Sequence, residues 1–212
     1  MRTIKKVASH IFIDGFGGMT QGLFATLIIG TMIQQIGLLI GGSTGNVIYL
    51  LGKAAAALTS AGIGVGVAVK YGESPLVTVS AAVAAMVGGY AGKITGGTFF
   101  VDGNAVLAGP GEPLGAFIAA FAGITCGHLV SGKTKVDIIV TPVITIGAGS
   151  VVGLLVGPPI SQMMTGLGSI INWATEQRPF IMGIVVSVVT GMVLTPPISS
   201  AALGIILNLS GP

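Results

Sequence analysis

Six stretches of this chain, each close to the roughly 20 residues that cross the hydrocarbon core of a bilayer, are almost free of charge. They lie at about 23–42, 47–69, 76–96, 114–130, 138–158 and from 180 to Pro196 and Pro197. Only 7% of the chain is charged and 52% is hydrophobic, whereas a soluble domain carries roughly a quarter charged residues. A chain so composed cannot cover a water-exposed surface. The expected fold is therefore an all-α integral membrane protein, a polytopic helical bundle of about six transmembrane segments with broken or re-entrant elements. It reads as one membrane domain, 1–212: a cytoplasmic interfacial helix and glycine-rich entry (1–21), three spans (22–96), a re-entrant or loop element (97–113) and three further spans (114–212).

Glycine, at 36 residues, has no collagen-like period, and in apolar segments small residues let helices approach closely. Gly88, Gly92 and Gly96, and likewise Gly149, Gly153 and Gly157, recur every four residues and predict two smooth packing faces. DGFGGMTQG predicts no stable helix before about Gly22. Gln34 and Gln35 are the strongly polar residues of the first span and read as interhelical hydrogen-bonding groups. SQMMTGLGSIINWATEQRP, after Pro158 and Pro159, holds Trp173 and suits an interfacial helix. TPVITIGAGSVVGLLVGP from Thr141 aligns with TPPISSAALGIILNLSGP from Thr195, which predicts two copies of a proline-broken helix.

With the N-terminus inside, Arg2, Lys5, Lys6, Lys70, Lys133 and Lys135 fall on the cytoplasmic side, as the positive-inside rule requires. Lys53, Lys93 and Arg178 then lie toward the outside. No clean apolar core with a small-residue cleavage site follows the N-terminal charges, so no cleaved signal peptide is expected.

The most telling break is 97–113, GTFFVDGNAVLAGPGEP, which sets two of only six acidic residues between apolar runs. Non-helical backbone at membrane depth is tolerated where protein buries it or where it lines a wet cavity. One reading makes the stretch the lining of a solute site; the other makes it a solvated outer loop. Intramembrane charges usually find partners, so Lys53 or Lys93 is expected to meet Asp102 or Glu112. The candidate binding set is Glu112, Asp102, Asn104, Lys53, Lys93 and His128. It suits a sugar or polyol, and equally an ion or proton path. His128, near the cytoplasmic end of the fourth span, is either structural or a proton-coupling group.

Several chemistries have no support in the motifs. The chain carries no Walker loop, HExxH, cysteine pair or carboxylate–histidine cluster at ligand spacing, so no catalytic residue, cofactor or metal is assigned. In GGYAGKITGG, Lys93 lacks the spacing of a nucleotide loop and follows an apolar helix. Cys126 is a lone thiol in apolar surroundings, and no basic run interleaved with aromatics points to nucleic acid.

DGFGGMTQGLFATLIIGT, GPGEPLGAF and VTPVITIGAGSVVGLLVGPPIS together resemble the EIIC-like permease family of the bacterial phosphotransferase system, in the branch that includes the perfringolysin regulator PfoR. The resemblance covers essentially the whole chain. It implies a homodimer in the bacterial cell membrane, in contact with lipid, that binds a sugar at mid-membrane while a separate IIB phosphocarrier supplies the phosphoryl group. It also aligns Glu112 with the family's sugar-binding glutamate. No IIA or IIB domain is fused here, and Cys126 does not match a IIB loop cysteine. Family members usually continue further, so the chain is expected to be truncated after Pro212. Two other functions stand beside permeation with phosphorylation: secondary transport of an ion or small solute, and ligand sensing by a membrane-embedded regulator.

Overall fold

The computed structural model describes residues 10–107, 109–175 and 179–194. Helix α1 (Ile13–Ile40) turns at Gly41 into α2 (Gly42–Ala57), and α3 (Thr59–Lys70) follows at a 53° bend. Then come α4 (Pro75–Gly89), the short α5 (Ala91–Thr95) and a hairpin of β1 (Phe100–Val101) and β2 (Asn104–Ala105). Helices α6 (Pro113–Val130), α7 (Asp137–Thr175) and α8 (Pro179–Leu194) complete the described chain. The chain is thus an all-α polytopic membrane protein with broken helices. Six spans were expected; among the described residues three helices are long and apolar enough to cross a membrane, or four with α2 and α3 as one bent span. Helix α4 is apolar but shorter.

Glycine decides how the first half packs. Helix α1 lies antiparallel to α2 and α3, with Gly18 facing Gly66, Gly22 facing Gly62, Gly30 facing Gly52 and Gly37 facing Gly45. A methyl group at Gly18 would meet the Gly66 carbonyl oxygen at 2.6 Å, and one at Gly37 would meet that of Gly45 at 2.7 Å. These backbones touch because no side chain intervenes. The register shifts between the inner and outer pairs, across a π-helical turn at Phe24–Ile28 and the break at Leu58.

This contact also explains why the helix begins ahead of Gly22, contrary to the expectation from glycine content. Helix propensity penalises DGFGGMTQG by about 1 kcal/mol per glycine, but Gly18 and Gly22 are the residues that admit α3. Tertiary contact overrides the local preference.

Helix α6 occupies the middle of the bundle. Its Ala116, Phe117, Ala120 and Ile124 join Met19 and Leu23 of α1, Ile63 and Val67 of α3, and Val77 and Ala81 of α4 in one core. Of the two expected glycine faces the second exists, with Gly149 and Gly153 packed on Ala119 and Gly88; the first is cut at Tyr90, so Gly88 of α4 lies against Ala119 and the Gly115 carbonyl, Gly92 belongs to α5 and the exposed Gly96 follows it. Both α4 and α6 start with a side-chain cap followed by proline, Ser74–Pro75 and Glu112–Pro113. Proline suits that first position because its missing N–H would be unpaired there anyway.

Two expectations about proline fail. Helix α7 runs through Pro142, Pro158 and Pro159, so the fifth segment neither breaks at Thr141 nor ends at Pro158. Each proline removes one helical hydrogen bond, but in apolar surroundings leaving the helix would strand many more peptide groups. The interfacial helix at 1–13, Arg178, the Pro196–Pro197 break and the second Thr-Pro copy lie largely or wholly outside the described residues.

Candidate functional site

Three helix interruptions meet around Tyr90. Leu58 leaves helical geometry between α2 and α3, Tyr90 does so between α4 and α5, and an irregular segment precedes α6. The buried Tyr90 points its hydroxyl at the carbonyl oxygens of Gly109 and of Ala57, the latter at 3.2 Å. Ser60 Oγ donates to the Pro110 carbonyl at 2.9 Å, and the Glu112 amide donates to the Gly89 carbonyl at 2.7 Å. Broken helices expose unpaired carbonyls, and here groups from other breaks satisfy them.

Glu112 caps α6. Its carboxylate accepts from the Leu114 amide at 3.1 Å and from the Gly115 amide. Burial pushes its pKa up, and the two amide bonds act in the opposite direction. The carboxylate is therefore engaged with backbone.

Beside this junction an open cleft of about 580 Å³ separates α5 from α7. Lys93 and Thr95 stand on one wall, and Ser161, Gln162 and Thr165 on the other. Gly92 lets the two walls come close: a methyl group there would meet Ser161 Oγ at 2.9 Å. Lys93 Nζ lies 5.5 Å from the centre of the Tyr90 ring, which links the cleft to the junction behind it. Its volume is within the usual range for small-molecule sites.

The predicted site residues are dispersed. Lys93 lines the cleft and Glu112 caps the helix behind it. Asp102 and Asn104 sit on the exposed hairpin, where Asn104 Nδ2 donates to the Asp102 carbonyl at 3.3 Å. Lys53 is exposed on α2. His128, 71% exposed at the far end of α6, meets Glu73 with Nδ1 3.0 Å from Oε1. Next to that pair, Ser74 and Ser131 share a hydrogen bond of 2.9 Å, so the α3–α4 loop is tied to the end of α6. Sequence reasoning missed Ser161, Gln162, Thr165 and Glu73.

The fold is a membrane bundle with broken helices, and the sequence comparison gives the family. Residues 13–212 match the family described as the phosphotransferase system, EIIC. The chain belongs to that family. No curated protein and no solved structure matches it. As an EIIC protein it is a permease-type membrane subunit of the phosphotransferase system.

Proposed function

We propose that this EIIC chain binds a sugar-like solute in the cleft between α5 and α7 and carries it across the bacterial plasma membrane by alternating access. The N-terminus lies in the cytoplasm, the working form is a homodimer surrounded by lipid, and a separate IIB protein phosphorylates the solute. The observation that carries this reading is the cleft itself. It holds hydroxyl, amide and ammonium groups between α5 and α7, beside the junction where two broken helices, α4–α5 and α2–α3, meet the start of α6. Glu112 holds the start of α6 and so positions the wall behind Lys93. Repeat-built transporters place solute at discontinuous helices of this kind, where short segments move relative to the bundle.

The test is uptake by membrane vesicles containing the full chain, its IIB partner and the soluble phosphotransferase components. Solute should accumulate in phosphorylated form only when phosphoenolpyruvate is inside. Accumulation of unmodified solute driven by a proton gradient, indifferent to phosphoenolpyruvate, would overturn the reading in favour of secondary transport. Unchanged uptake with altered gene expression on deletion would instead make the chain a sensor.

A further inference from the structure

We propose that the turn joining α6 to α7, which carries Lys133 and Lys135, is a binding surface for the phosphate headgroup of an anionic lipid. Helix α6, at 18 residues, is about 27 Å long, close to the thickness of the hydrocarbon core, so the turn at its end falls at the level of the headgroups. Leu129, Val136, Ile138 and Ile139, which flank the lysines, are each more than half exposed. From Ile139 the exposed positions continue down α7 every four residues, through Val143, Gly147, Val151 and Leu155. The lysines therefore stand at the rim of an apolar, lipid-facing stripe, where a lipid, and not a soluble partner, presents acyl chains on one side and a charged group on the other.

The turn is a fixed platform. The Gly132 amide donates to Asp137 Oδ1 at 2.9 Å, Thr141 Oγ1 donates to the same oxygen at 2.6 Å, and the Lys133 amide donates to the Val130 carbonyl at 3.1 Å. Ser131 Oγ, 2.9 Å from Ser74 Oγ, ties the turn to the α3–α4 loop, which brings Lys70 to the same end of the bundle. A surface already ordered loses less freedom when it binds. The acids at this end are drawn inward: the Glu73 side chain is only 9% exposed and meets His128, Asp137 is engaged with Gly132 and Thr141, and Asp14 is partly buried. Lys70, Lys133 and Lys135 are all exposed, so this end turns positive charge outward. Ammonium groups at the rim and apolar side chains beside them match a phosphate carried on acyl chains.

The experiment follows the thermal unfolding midpoint of the purified full chain in a neutral detergent as phosphatidylglycerol, phosphatidylcholine or glycerol phosphate is added, since a ligand of the folded state raises the midpoint. Phosphatidylglycerol should raise it, and less so at high salt, because the attraction is between exposed charges. Phosphatidylcholine, with no net charge, and glycerol phosphate, with no acyl chains, should not at the same concentration. Lys133→Gln combined with Lys135→Gln should require about twentyfold more phosphatidylglycerol for the same shift, roughly fivefold per lysine. Lys133→Arg combined with Lys135→Arg should keep the response, and so should Lys53→Gln, which removes a charge elsewhere. Equal stabilisation by phosphatidylcholine would show that acyl chains alone are bound, and stabilisation by glycerol phosphate would show a site for soluble phosphate; either overturns the proposal. So would no response to phosphatidylglycerol, an unchanged response in the folded Lys133→Gln, Lys135→Gln protein, or a response weakened as much by Lys53→Gln.

Discussion

The carboxylate of Glu112 faces the first turn of α6, where two amides would otherwise lack partners. Replacing it by alanine should lower stability by about 1 kcal/mol, the usual loss at a helix cap. Glu112→Gln should lose less, because the amide oxygen still accepts. Denaturant unfolding of both variants in detergent checks this, and a Glu112→Gln protein of parental stability that no longer binds solute would show that the carboxylate contacts solute directly. At this scale the sequence was half legible. Lys93 stood out as a charge in an apolar run, whereas Ser161, Gln162 and Thr165 were hidden by two prolines read as a helix end. Had the helix been carried through Pro158 and Pro159, the four-residue spacing of Ser161 and Thr165 would have put them on one face. Glu73 gave no local signal, since its partner His128 is 55 residues away.

Among elements, the glycine-packed hairpin of α1 with α2 and α3 and the β-hairpin at Asp102 were legible to different degrees. Asp102 and Gly103 have φ of 50° and 77°, the left-handed pair of a two-residue hairpin turn. Asp-Gly is a strong sequence sign of such a turn, and the expectation of re-entrant backbone passed over it. The glycine pairs between α1 and α3 were equally hidden, because their meaning depends on which helices meet. Gly22→Ala should destabilise the protein by about 1–3 kcal/mol, as the new methyl group would press on the Gly62 backbone. Gly147→Ala, in α7 with nothing within 4 Å of the added methyl, should be stabilising by about 0.5–1 kcal/mol. Unfolding midpoints of the two variants, side by side, separate close packing from helix propensity. Similar shifts in both would show that the glycines of α1 are not contact residues.

For the whole molecule, composition was enough to give the membrane class, but the course of the chain across the bilayer depends on breaks that hydropathy blurs. Helix α6, at 18 residues, is about 27 Å long, so its capped start and the Lys133 loop after its end lie at opposite ends of the bundle. On the proposed topology, with the N-terminus inside, the Lys133 end lies in the cytoplasm, as the positive-inside rule favours. In a Cys126→Ala background, a membrane-impermeant maleimide added to intact cells should label Asp102→Cys and leave Lys133→Cys unlabelled until the membrane is opened. The opposite pattern would invert the topology. Tyr90 adds a constraint on how such a molecule can move. Its hydroxyl has one proton, and two carbonyls, Ala57 at one helix break and Gly109 at another, compete for it. A shift that strengthens one bond must weaken the other, so the two junctions behave as a seesaw with Tyr90 as its pivot.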